Sequence, residues 1–390
     1  MTCSFIHTAD WQIGKPFGTI PDPAKRALVQ HKRIEVLKRI AQVARDHDAE
    51  FVLVAGDLFD SPRATKSDAA ALCKEVGQMQ VPVIVIPGNH DHGGPGSLWE
   101  ESFFVEARTG LAANLRVALT PDLIELDSAV ILPCPLVRRH ESSDTTAWIR
   151  TLDLDAFGDK PRIVLAHGSV QGFGGEGGED EESAGAPQIN QIDLDRLPAS
   201  GLDYVALGDW HGTKKVNIRT WYAGTPEPDR FPKGGDYQSG QVLAVRATRG
   251  ELPAVEPVAT GQLAWWSDAF VFSDDASLPL FDTRIRGRIG DHAQSDLALL
   301  EISGSLGIAA AERLRSILDQ CEALMLRLKL RDTTSIAPTQ DEIDALVGRT
   351  TDPVVAGVAA RLIEESRGEG EPAEIARTAL RELYATIQTA

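Results

Sequence analysis

Short apolar runs, each closed by a sharp turn and then a polar side chain, recur through the first part of the chain. In FVLVAGD, apolar residues with β-propensity run into Gly56-Asp57, the pattern of a buried strand that delivers a carboxylate at its C-terminal end. FIHTADWQ, VPVIVIPGNHD, RIVLAHGS and YVALGDWHG repeat the construction. Between the first three runs lie segments of helical period, 24–47 and 67–79. The stripe Leu28, Ile34, Leu37, Ile40 and Val43 on the first predicts a core-facing helix. Strand, helix and strand in this order make βαβ units, so the sheet begins parallel.

Further helices are predicted at 98–109 and 145–152. From Leu115 to Leu136 the pattern shortens to LRVAL, LIEL and AVILPCPL, which implies a second sheet packed on the first. Strands near Trp221 and over 241–258 are expected to complete that second sheet. Beyond Trp265-Trp266, a strand at 297–304, an amphipathic helix at 308–320 and a strand at 323–330 read as a small β-α-β module. Helices at 353–366 and 372–388 follow, on either side of Gly368-Glu369-Gly370. The expected organisation is an α/β catalytic domain over 1–268, a capping domain over 269–334 and a helical segment over 335–390 that can meet a partner.

Composition narrows the function. The chain has 390 residues, 43% hydrophobic and 25% charged, which is ordinary globular material with room for several domains. Its net charge of −18 disfavours unaided coating of a polyanion. It disfavours less an enzyme whose metals meet the phosphate, or one that borrows basic surface from a partner. Cys3, Cys73, Cys134 and Cys321 have no framework spacing and read as reduced thiols, and the first strand starts almost at Met1. With no apolar run of membrane length, a cytoplasmic protein is expected. The glycine-rich, acidic run 172–185 reads as a solvated loop, with a gate or partner contact as the alternative.

Strand ends that all terminate in Asp, Asn, Gln or His point to one convergent centre for hard metal ions. Asp57 is placed to bridge two ions; Asp10, Gln12 and His211 complete the first, and Asn89, His167 and Asp209 the second. Such a pair activates water and orients a phosphate, so the reaction class is in-line hydrolysis of a phosphoester. His90, surplus to the ligand count, is placed to protonate the leaving oxygen, and Asp91 and Asp60 to orient ligands. His7 reads as a satisfied core histidine. Trp11 and Trp210 read as core or as a platform for a base. Arg138, Arg139, Lys214, Lys215, Arg230 and Lys233 read as solvated or as phosphate contacts. No Walker A motif is present, so any ATP dependence must come from another chain.

GDLFD, GNHD, AHG and GDWHG, in this order, resemble the calcineurin-type metallophosphoesterase signature. HTADWQIGK, YAGTPEPDRF and the later β-α-β module are similar to the SbcD and Mre-type DNA nucleases in particular. The resemblance implies a two-sheet metallophosphoesterase sandwich flanked by helices, two Mn²⁺ ions with Mg²⁺ as the alternative, and a homodimer. It also implies a capping domain that steers DNA and a partner of the SbcC type, an SMC-like ATPase met by the terminal helices. Two positions depart from the usual Asp-x-His and Gly-His-x-His pattern, where Gln12 and Asp209 each replace a histidine. A neutral amide weakens the first ion's site, and an added carboxylate hardens the second toward Mn²⁺ or Mg²⁺. The alternative reading is a phosphatase or phosphodiesterase for small molecules, and a third is an assembly protein that has lost full metal binding through Gln12.

Overall fold

Every residue of the strand Phe51–Ala55 is buried, and alternate side chains serve two different cores. Phe51, Leu53 and Ala55 enter a core shared with a second sheet, whereas Val52 and Val54 face helices on the outer side. This double burial explains why the strand reads as one unbroken apolar run. The computed structural model describes residues 1–170, 189–198, 200–232, 234, 237–348 and 352–389. The acidic run 172–185 and Lys233 lie outside the described residues.

The first sheet has the order Ala254–Ala259, Gln241–Thr248, Thr2–Thr8, Phe51–Ala55, Val83–Ile86, Leu115–Val117. Its last four strands are parallel, as the βαβ reading expects. The second sheet has the order Lys214–Lys215, Thr220–Tyr222, Tyr204–Gly208, Arg162–His167, Val130–Cys134, Ile124–Glu125, with a parallel centre and antiparallel edges. The two sheets form an α/β sandwich flanked by helices.

One strand assignment is corrected. The strands expected at 241–258 to complete the second sheet belong to the first, where Gln241–Thr248 pairs antiparallel with Thr2–Thr8. The reason is two-sided burial: Leu243, Val245 and Ala247 enter the inter-sheet core while Val242 and Ala244 face the helices. Likewise Leu115–Val117 extends the first sheet beside Val83–Ile86.

The helix Pro23–Asp46 starts where the Asp22 side chain accepts the N–H groups of Ala24 and Lys25 and Pro23 presets the first turn. Its buried stripe runs through Val29, Arg33, Val36, Leu37, Ile40 and Val43, and Leu28, expected to face the core, is exposed. The segment 98–109 divides into a 3₁₀ turn at Leu98–Glu100 and a helix at Ser102–Leu111, because Glu101 between them is extended. The helix expected at 145–152 is the 3₁₀ turn Ala147–Thr151.

The chain divides into two units, Met1–Ala264 and Trp265–Ala390. The second holds a sheet of Ala264–Phe272, Asp296–Leu306 and Arg327–Ile336, the last two parallel. Its helix Ile308–Leu324 outruns the expected 320, and the next strand starts later than 323. The buried stripe Leu314, Leu318, Cys321 and Met325 keeps its helical spacing through that stretch. Helices Ser277–Ile289 and Gln340–Val347 and the strand Ala264–Phe272 were not expected from the sequence. Within the second unit, Ile308, Leu346, Ala359, Ile363 and Leu380 share one core, so the terminal helices pack on the start of helix Ile308–Leu324. Among the described residues, no helix is long and apolar enough to cross a membrane.

Candidate metal centre

The central strands of both sheets end at one place, and the polar residues that follow them turn inward. Asp10 follows Thr2–Thr8, Asp57 follows Phe51–Ala55, Asn89 and His90 follow Val83–Ile86, His167 closes Arg162–His167, and Asp209 follows Tyr204–Gly208. Asp10, Gln12, Asp57 and Asp209 hold positive φ angles of 52, 43, 54 and 103°. Non-glycine residues rarely adopt these values, and these four stand in the turns that follow the central strands. Two glycines allow the close approach. A Cβ on Gly56 would lie 2.2 Å from His167 Nδ1, and one on Gly88 would lie 2.1 Å from Asp57 Oδ1.

Asp10, Asp57 and His167 are all buried and offer donor atoms within 4.8 Å of one another. His167 Nδ1 lies 2.8 Å from the Ala55 carbonyl, which fixes the proton there and leaves Nε2 toward the carboxylates, 3.6 Å from Asp57 Oδ1 and 3.8 Å from Asp209 Oδ1. The Asn89 amide is 2.9 Å from His167 Nε2, and with its nitrogen turned inward it donates to both Asp57 oxygens, at 3.2 and 3.1 Å. Asp209 receives Ser169 Oγ–H at 2.9 Å and donates its own N–H to the Asp10 carboxylate.

Electrostatics favour a cation at this point. Burial, reinforced by the carboxylates of Asp57 and Asp209, holds the Asp10 carboxyl well above the usual range, with His167 opposing. For His167 burial alone would lower the pKa, but Asp57, Asp209 and Asp10 outweigh it and push the imidazole up to about 9. The crowding of carboxylates that raises both values is relieved when a divalent ion takes the same donors. The Asp10, Asp57 and His167 set, with Asn89 and Asp209 beside it, therefore fits one hard cation.

The other half of the expected ligand set is arranged differently. Lys15 is buried, and its ammonium lies 2.8 Å from Gln12 Oε1, 3.1 Å from Asp229 Oδ2 and 3.6 Å from Asp60 Oδ1. Gln12 turns its Nε2 to within 3.3 Å of His211 Nε2, and His211 Nδ1 lies 3.0 Å from Asp229 Oδ2. Arg230 reaches Asp229 Oδ1 and Oδ2 at 3.1 Å each and approaches His211 Nδ1 at 2.8 Å. Burial would raise the pKa of Asp229, but His211, Arg230 and Lys15 together hold it well below the usual range. Burial lowers that of His211, with Asp229 opposing and Arg230 adding to the fall. Gln12 and His211 thus sit beside the other donors but face protein partners.

His90 donates its backbone N–H to Asp57 Oδ1 at 2.9 Å, and its Nδ1 meets the Asp60 carbonyl at 2.8 Å. Asp91 is fully buried and accepts N–H bonds from Gly88 at 2.7 Å and Phe59 at 3.0 Å. It shapes the turn that carries Asn89 and His90, and its side chain has no exposed surface. His7 is buried against Tyr204 OH at 3.0 Å and Leu207 O at 3.2 Å. Trp11 is core, with Nε1 on Thr8 Oγ1, and Trp210 is half-buried under the Lys214 ammonium, 5.2 Å from its ring. Sequence reasoning left Lys15, Arg33 and Asp229 without roles, although Lys15 and Asp229 stand inside the stretches HTADWQIGK and YAGTPEPDRF.

A family model described as calcineurin-like phosphoesterase matches residues 3–213. The SbcD subunit of nuclease SbcCD from Escherichia coli K12 is 24% identical over 282 residues, covering 64% of this chain and 66% of that protein. Its counterpart in Escherichia coli O157:H7 matches to the same extent, so the chain spans about two thirds of the length of these curated relatives, at 66%. Among solved structures, TT1561 of Thermus thermophilus aligns with a TM-score of 0.40 and 14% identity, over 67% of this chain and 100% of that one.

Proposed function

The chain belongs to the calcineurin-like phosphoesterase family, which makes it a metal-dependent hydrolase, and from that premise we propose that its substrate is the phosphodiester backbone of DNA. The observation that carries the hydrolytic reading is the convergence of buried Asp10, Asp57 and His167 donors within 4.8 Å. The DNA reading is supported by the similarity to a protein named as a subunit of the SbcCD nuclease. It extends to a cytoplasmic homodimer in DNA repair that works with an SMC-like ATPase of the SbcC type. A chain of net charge −18 needs such a partner to supply basic surface along a polyanion.

Asp10, Asp57 and His167, joined by Asn89 and Asp209, would hold a divalent ion. Mn²⁺ is the assignment and Mg²⁺ the alternative, because the donors are mostly oxygens. When bound, the ion supplies a water of lowered pKa and a counter-charge for the phosphate. The chain's own residues do the rest. His167 is locked in one tautomer by the Ala55 carbonyl. Ser169 Oγ–H orients Asp209. His90, fixed through Nδ1 to Asp60, keeps Nε2 to pass a proton to the leaving oxygen.

The test incubates the purified chain with labelled single- and double-stranded DNA in Mn²⁺, Mg²⁺ or EDTA, alone and with the ATPase partner, beside generic phosphate mono- and diesters. DNA cut with Mn²⁺, and spared in EDTA or by Asp57→Asn, is the expected result. A second reading, a phosphoesterase for small molecules, is favoured by the −18 charge. Rapid turnover of a small ester with all DNA intact would select it.

A further inference from the structure

We propose that this centre holds a single divalent ion, and that the Lys15 ammonium is a built-in cation standing where a second ion would bind. The proposal rests on the reading of the Asp57 cluster as a metal centre, and concerns what lies beside it.

A second ion held by Gln12 and His211 would need two lone pairs, one on Gln12 Oε1 and one on His211 Nε2. Both are spent. Lys15 Nζ donates to Gln12 Oε1 at 2.8 Å, which turns the amide so that its Nε2 faces His211 Nε2 at 3.3 Å. His211 Nδ1 lies 3.0 Å from Asp229 Oδ2 and 2.8 Å from the Arg230 guanidinium, and Lys15 Nζ reaches the same Asp229 oxygen at 3.1 Å. Lys15, Gln12, His211 and Asp229 close into a ring in which each polar group answers the next.

Charge points the same way. Lys15 and Arg230 bring two positive charges against the carboxylates of Asp229 and Asp60. Asp229 has no exposed side-chain surface and Lys15 only 10%, so water screens the pair little. A dication entering here would meet an ammonium held by Gln12, Asp229 and Asp60, and would find those carboxylates already engaged. The Asp10, Asp57 and His167 set differs in kind: its donors lie within 4.8 Å of one another, and the group facing its carboxylates is the His167 Nε2, itself a metal-binding atom, 3.6 Å from Asp57 Oδ1 and 3.8 Å from Asp209 Oδ1. The fixed ammonium also explains how a neutral amide is accommodated at position 12. Gln12 orients a lysine, and an orienting group needs no charge.

The test measures metal content, independently of turnover. The full chain is dialysed against excess Mn²⁺, its metal counted by plasma mass spectrometry, and its Mn²⁺ examined by electron paramagnetic resonance. One Mn²⁺ per chain with the spectrum of an isolated ion is expected. Two ions per chain with an exchange-coupled spectrum would overturn the proposal and leave the hydrolase reading intact, whereas no bound ion would overturn both. The double substitution Gln12→His with Lys15→Met restores an imidazole and removes the ammonium, and should raise the count to two with exchange coupling. A folded double variant that still holds one ion would remove Lys15 from its role. The wild-type count decides the stoichiometry even where that variant fails to fold.

Discussion

His90 is held by two bonds that leave one ring nitrogen for chemistry. Its N–H anchors on Asp57 Oδ1 and its Nδ1 on the Asp60 carbonyl, so only Nε2 can exchange a proton with a substrate. Replacing it by alanine removes no ligand of the Asp57 cluster. His90→Ala should therefore keep its metal and lose about 10²–10⁴-fold in kcat on a diester; equal rates for the two proteins would discard the proton-transfer role. Asp91 works through the backbone instead. Asp91→Asn puts an amide N–H against one of the two N–H groups its carboxylate receives, so Asn89 should shift and Mn²⁺ affinity fall about 10–100-fold, read by titration calorimetry. At this scale the donor types were legible because each follows an apolar run and a turn. Lys15 and Asp229 were not, because a buried cation and its counter-ion meet through the fold across more than two hundred residues of chain. Local pattern carries no sign of such a pair.

Between elements, one buried arginine ties the first strand's turn to the segment that closes the sandwich. From the helix Pro23–Asp46, Arg33 donates to the carbonyls of Asp10, Trp11 and Glu227 at 3.0, 2.8 and 3.0 Å and to Thr225 Oγ1 at 3.0 Å. Arg33→Met would strand the Trp11 carbonyl and one of the Asp10 and Glu227 carbonyls, since Thr225 Oγ1–H can serve only one of that pair, at roughly 1–3 kcal/mol for each acceptor left unpaired. Urea denaturation should show a loss of several kcal/mol, and a loss under about 1 kcal/mol would mean that water replaces the guanidinium. Glu227, in the same segment, receives the N–H groups of Gln262 and Leu263, and burial pushes its carboxyl up from 4.5 to about 7. A raised folded-state pKa stabilises the fold below about 4.5 and loses that contribution as pH rises through about 7. Over that window the group removes up to about 3 kcal/mol, and Glu227→Gln should flatten the fall relative to the wild type; parallel curves would assign the slope elsewhere. The parallel strands were legible because burial on both faces writes continuous apolar runs. The helix Ser277–Ile289 was hidden by Pro279 and Gly287, although a proline in the first turn costs a helix no hydrogen bond.

At the scale of the whole molecule, each unit has cores of its own. Among the described residues, the cores of the sandwich draw only on residues before 264, and those beyond it only on residues after 265. Every residue assigned to the centre lies in Met1–Ala264. A chain ending at Ala264 should therefore unfold in one cooperative step, bind the same number of Mn²⁺ ions as the full protein and hydrolyse a small diester at the full protein's rate. DNA makes a different demand, because the chain carries 57 acidic against 39 basic residues and a polyanion approaches it against that field. If the second unit and its partner steer the strand, the shortened chain should lose DNA cleavage and keep small-diester turnover. If both activities fall together while the metal stays, the second unit supports the active geometry itself. If neither falls, substrate selection resides in the sandwich alone.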